Sequence, residues 1–115
     1  YKAFEYCMLA DYIVLESNYD VDMLLHGPYP MELKARIIGE CGHLSNEDCA
    51  RTIEVICSRN KTLKGIFLCH ISKENNTHER AYNCSLQSLS KINVRVPEDI
   101  SLVALPRTEI AEFEL

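Results

Sequence analysis

The chain has 115 residues, 47% of them hydrophobic and 25% charged, the balance of a soluble globular protein with one core. No run of about 18 apolar residues and no secretory leader is recognisable, so neither a membrane span nor export is expected and the predicted location is cytoplasmic. The net charge of −5 argues against a non-specific coat for nucleic acid, which needs a strongly basic surface. It still allows an enzyme that meets phosphodiesters through a few local cations and a metal.

Residues 1–9 read as the end of a helix. DYIVLES, Asp11 to Ser17, is short, β-branched and aromatic, and reads as a strand. Its unbroken apolar stretch from Tyr12 to Leu15 predicts a strand covered on both faces, within a sheet sandwiched by helices. DVDMLLHG, Asp20 to Gly27, is a short helix closed by glycine. Pro30 suits the first position of the next helix, about Pro30 to Glu40, with Leu33 and Ile37 on its inward stripe. Gly42 is expected to stop that helix in a left-handed cap. Ser45, with Asp48 three residues on, resembles a capping box opening a helix over Asn46–Ser58, which buries Cys49, Ile53, Ile56 and Cys57. Leu63 to Cys69 is a second strand, Thr77 to about Ile92 a helix of weaker pattern, and Ser101 to Leu105 a third strand. Pro106 to Leu115 has little pattern and reads as a tail.

The six cysteines are Cys7, Cys41, Cys49, Cys57, Cys69 and Cys84. No two form a C-x-x-C pair, so they read as small buried hydrophobes in a reducing compartment. Three N-x-[ST] triplets, at Asn60, Asn75 and Asn83, carry no weight without a secretion signal.

The order strand, helices, strand, helix, strand implies α/β layering. Parallel strands joined by right-handed crossovers would bring the carboxyl ends of the first two to one edge, where open α/β sheets bind ligands. Glu16 ends the first strand, His70 follows the second, and His43 lies in the connection between them, so the three are expected to converge. Each has an ordinary alternative. His70 is either a metal ligand or a core histidine bonded to a carbonyl. Glu16 either orients His43 or simply ends a strand. His43 is either a general acid or a turn residue. Ser72 and Asn75 could donate to a phosphate, or cap the helix that follows, as could Asn76. His26 and His78 fall on solvent-facing positions and receive no role.

Four segments, ESNYDVDML (16–24), GPYPMELKARI (27–37), GHLSNED (42–48) and HISKENNT (70–77), together resemble the C-terminal half of a metallo-β-lactamase-fold hydrolase. The similarity is to the YycJ-type exonuclease branch, and more distantly to tRNase Z and ribonuclease J. It covers about residues 10–105, and its specificity lies in the order and spacing of the four segments. The resemblance implies a four-layered αββα sandwich with two divalent metal ions, zinc or manganese, at one edge. It places Glu16 on the glutamate of a His-Glu-Ala-Thr motif, with Leu15 where that motif has its histidine. It makes His43 the partner of Glu16 in protonating the leaving group, and His70 the last metal-binding histidine. Ser72 and Asn75 would then hold a phosphate.

The family's H-x-H-x-D-H motif, its next metal histidine and its bridging aspartate belong upstream of residue 1, and Asp20 does not replace the last of these. The chain is therefore expected to be a fragment, with the N-terminal half of the same protein as partner and nucleic acid as substrate. A fragment of a sandwich is also expected to expose apolar sheet surface and to pair or self-associate. Two other classes stay open: a hydrolase of thioesters, lactones or lactams on the same fold, and a non-catalytic module. The Glu16–His43 pairing favours phosphodiester chemistry.

Overall fold

A computed structural model of the chain describes residues 2–39 and 42–107. The predicted helix end at Glu40, Cys41 and most of the predicted tail lie outside them. The described elements, in chain order, are α1 (Lys2–Cys7), β1 (Tyr12–Glu16), α2 (Val21–His26), α3 (Met31–Ile38), α4 (Asn46–Arg59), β2 (Gly65–Cys69), α5 (His78–Lys91) and β3 (Ser101–Ala104). The strands form one parallel sheet in the order β1-β2-β3, so the predicted α/β layering is present. All three strands point their carboxyl ends to one edge.

Register settles which side chains share a face. Ile13, Ile66 and Leu102 lie abreast across the three strands. With Leu68 they form the sheet's contribution to the core, against Cys49, Ile53, Ile56 and Cys57 of α4 and Ala81 and Leu89 of α5. Full burial of such aliphatic side chains stabilises the fold by roughly 1.5–3 kcal/mol each.

The opposite face carries Tyr12, Val14, Phe67 and Val103. Val14 is 62% exposed, and the rings of Tyr12 and Phe67 lie 6.4 Å apart. A side chain at Gly65 would meet the Tyr12 ring at 2.9 Å, so glycine is what lets this aromatic lie across its neighbour. Among the described residues, then, the sheet has helices on one face only. The expectation of a strand covered on both faces fails, because an apolar run of four residues carries two apolar faces whether or not both are covered within the same chain.

The local signals explain most of the boundaries. Ser45 caps α4 by accepting from the Asp48 N–H at 3.0 Å. Glu47 and Asp48 in its first turn, with Arg59 in its last, complement the helix dipole. Asp20 caps α2 through the Met23 N–H and pairs with Arg80 at 3.2 Å. The cap of α5 is Thr77, which accepts from the Arg80 N–H, and not Asn75 or Asn76. The helix over 31–38 ends at Gly39 with a negative φ, and no described glycine is left-handed, so the left-handed stop expected at Gly42 is not used. Gly42 is instead a point of close approach, where an added Cβ would lie 2.1 Å from the Ile37 carbonyl oxygen.

Candidate functional site

Glu16, His43 and His70 converge at the carboxyl edge of the sheet. Glu16 is the last residue of β1. His70 follows β2 directly, in the left-handed region at φ 53°, a conformation that a non-glycine residue adopts only when its surroundings hold it there. The hold is visible: Asn18 Nδ2 donates to the His70 carbonyl oxygen at 2.7 Å. His43 sits in the loop before α4, with its N–H donating to the Ile37 carbonyl at 2.9 Å.

The carboxylate is the hub. Its Oε1 accepts the Leu44 N–H at 2.7 Å. Its Oε2 faces Nδ1 of His43 at 3.2 Å and Nδ1 of His70 in a closer contact. The Glu16 side chain is 26% exposed, against 41% for His43 and 61% for His70, so it stands behind the two imidazoles. Burial pushes its carboxyl up, but the Leu44 N–H and the two imidazoles outweigh burial and hold it below the ordinary glutamate value. An ionised carboxylate only accepts, so Nδ1 of each ring must carry the proton that it shares with Glu16. A ring that carries no second proton then has its lone pair on Nε2. The rings meet edge to face at 4.9 Å.

This donor set fits a divalent cation. One ligand atom from each of Glu16, His43 and His70 lies within 4.8 Å of the other two, and a carboxylate behind an imidazole is the usual way of orienting a ligating histidine. Three donors do not by themselves complete a two-metal centre.

The loop after β2 holds the remaining predicted residues. Ser72 Oγ accepts the Asn75 N–H at 3.1 Å, and its hydroxyl proton stays available to a ligand. Asn75 is 2% exposed, and its Oδ1 has no partner among the described residues. Both residues line a cleft of about 590 Å³ that opens beside His43 and His70. Neither Ser72 nor Asn75 bonds to the Glu16 cluster. His78 is not solvent-facing as expected: its Nε2 reaches the Leu105 carbonyl at 2.9 Å. His26 is exposed and bonds to the Asp22 carbonyl.

A buried amide network ties together the three segments that carry Glu16, His43 and His70. Asn46 and Asn76 form a reciprocal pair, each amide nitrogen donating to the other's oxygen at 2.9 Å. Ser17 Oγ donates to Asn46 Oδ1 at 2.6 Å, and Asn76 Nδ2 also donates to the Ser17 carbonyl at 2.9 Å. Backbone bonds from Asn18 to Leu44, from Asn46 to Tyr19, from Ser72 to Asn18 and from Asp20 to Asn75 run alongside. Read from sequence, these asparagines look like caps and turns. The only signal of another role is that each falls just beyond a strand or a histidine.

Among the described residues no thiol bonds to the Glu16 cluster, although Cys69 lines the cleft. Cys7, Cys49, Cys57, Cys69 and Cys84 are free, and burial pushes Cys49 up to about 11, which leaves it a protonated, inert side chain.

No family model and no solved structure matches the chain. Among curated proteins, it is 38% identical over 107 residues to "Exodeoxyribonuclease WalJ" of Streptococcus pneumoniae, in two strains. That alignment takes in 88% of this chain and 39% of the relative. It is 44% identical over 72 residues to "Exodeoxyribonuclease YycJ" of Bacillus anthracis, covering 63% of this chain and 26% of the relative. The chain thus spans about two fifths or less of the length of these relatives. At these identities the chain is a homologue of part of the WalJ and YycJ proteins, and so belongs to the YycJ-type branch that its four segments resemble.

Proposed function

We propose that this chain is the C-terminal portion of a metal-dependent exonuclease, and that the complete protein hydrolyses phosphodiester bonds in DNA. The observation that carries the reading is one carboxylate holding two histidines at the carboxyl edge of a parallel sheet, in a chain whose relatives are named exodeoxyribonucleases.

His70 is the metal ligand of this portion, offering Nε2 while Glu16 fixes its ring. When bound, two divalent ions, zinc or manganese, would supply Lewis acidity for activating water and offsetting phosphoryl charge near neutral pH, and His70 would hold one of them. The further ligands come from the N-terminal portion of the same protein. His43, in its cationic form, delivers its Nε2 proton to the departing oxygen, and the ionised Glu16, accepting from Nδ1, orients that ring and stabilises the cationic form. Ser72 donates to a phosphate oxygen of the substrate, with Asn75 shaping the same loop.

The open sheet face of Tyr12, Val14, Phe67 and Val103 fits the same reading. It is where a second sheet, supplied by the N-terminal portion, would complete an αββα sandwich, and in its absence it is the surface through which copies of this chain would self-associate. Among the described residues no helix is long and apolar enough to cross a membrane.

The test uses the complete protein with manganese and a 5′-labelled DNA duplex. His70→Ala is expected to lower both bound metal and DNA hydrolysis by at least about 100-fold, the upper end of what loss of a ligand's orienting partner alone produces. Full activity in that variant would refute the assignment of His70.

A further inference from the structure

We propose that the cleft beside His43 and His70 is a nucleotide subsite that grips one base, in addition to a phosphate. The inference rests on the exonuclease reading above and names what that site would grip. The chain is acidic, with 17 Asp and Glu against 12 Lys and Arg. Yet no carboxylate appears among the described residues that line the cleft, while Lys73, Arg107 and the two histidines do. A pocket so depleted of negative charge, in a chain so rich in it, suits an anion.

The two walls differ in chemistry. One is apolar: Tyr29 from the turn before α3, and Leu33 and Ile37 one helical turn apart on α3. The other is cationic and polar. Arg107 Nε donates to the Ile71 carbonyl at 2.8 Å and one terminal nitrogen donates to the Ser72 carbonyl at 3.0 Å. Its guanidinium is thereby fixed over the loop that bears Ser72 and Lys73, and binding need not first order it. A volume of about 590 Å³ lies in the usual range for small-molecule sites. An aromatic and aliphatic part, with the fixed Arg107 and the exposed Lys73 in the same cleft, matches the two halves of a nucleoside monophosphate: base against Tyr29, phosphate against Arg107 and Lys73.

The probes are dAMP, deoxyribose 5-phosphate and inorganic phosphate, titrated by calorimetry into the complete protein in EDTA, so that no ion bridges the phosphate. The expected result is that dAMP binds roughly tenfold tighter than deoxyribose 5-phosphate, the scale of one base–aromatic stack. Tyr29→Ser should erase that difference, Tyr29→Phe should keep it, and Arg107→Gln should weaken both sugar phosphates alike. Equal affinity for the two sugar phosphates, or no binding of either, overturns the proposal. So does a base preference that survives Tyr29→Ser. DNA hydrolysis is assayed separately with manganese. Hydrolysis without dAMP binding would sink the subsite and leave the exonuclease reading standing. Base-dependent dAMP binding without hydrolysis would do the reverse.

Discussion

Asn76→Ala is the sharpest probe of how this site is held. Asn76 is 2% exposed. Its Oδ1 accepts from Asn46 Nδ2 and from the Thr77 N–H, and its Nδ2 donates to the Ser17 carbonyl and to Asn46 Oδ1, all at 2.9 Å. Truncation removes all four bonds, but the consequences differ. Asn46 Oδ1 keeps Ser17 Oγ. The Thr77 N–H lies at an exposed helix start, where water replaces the lost partner. Asn46 Nδ2 and the Ser17 carbonyl are left buried and unpaired, at about 1–3 kcal/mol each. The expected loss is therefore about 4 kcal/mol, a large share of the 5–15 kcal/mol typical of a domain. At about 4 °C per kcal/mol for a chain of this size, Tm should fall by about 15 °C. Urea unfolding followed by circular dichroism measures the loss directly. Asn76→Asp should cost a similar amount, because a carboxylate oxygen would face the Ser17 carbonyl and Asn46 Oδ1 in place of a donor. A loss below about 1 kcal/mol in the alanine variant would refute the claim that the reciprocal amide pair braces the three loops.

Glu16 gives a pH signature. Its carboxyl is held below the ordinary value, so the folded state binds that proton less readily than the unfolded chain. The resulting stability is fully present above the unfolded value near pH 4.5 and is lost as pH falls through the folded one. Tm of the native chain should therefore drop more steeply below about pH 4.5 than Tm of Glu16→Gln. Parallel acid limbs would show that the cluster does not stabilise the anion. On the open sheet face, Val14→Asp should change unfolding free energy by no more than about 0.5 kcal/mol while reducing concentration-dependent association. Sedimentation velocity reads the second effect, and undiminished association would move the sticky surface elsewhere.

The strands, the long helices and the meeting of Glu16, His43 and His70 are legible in the sequence, and for one reason. Apolar runs mark where strands end, and a parallel sheet gathers those ends. What is not legible involves partners distant along the chain. Asn46 and Asn76 are 30 residues apart, and a capping role suits each alone. Thr77 takes the cap expected of Asn75 or Asn76 because Asn76 is turned inward to that pair. Arg107 lies in a stretch read as tail, yet it reaches back to carbonyls some 35 residues earlier. The triplets at Asn60 and Asn75 also look accessible on paper. In the fold both side chains are buried, and Asn60 is spent on the carbonyls of Cys7 and Ala10.

The left-handed backbone at His70 implies a conflict between two kinds of fitness. By backbone preference alone, position 70 belongs to glycine or asparagine, which enter that region at little steric cost. Histidine there makes the fold less stable than its nearest substitutes would. Asn18, which grips the backbone carbonyl of that same residue, offsets part of the penalty and would keep that bond whatever the side chain at position 70. A lineage that stopped needing the imidazole would gain by replacing His70 while still keeping Asn18. The two positions should therefore decay separately, His70 first.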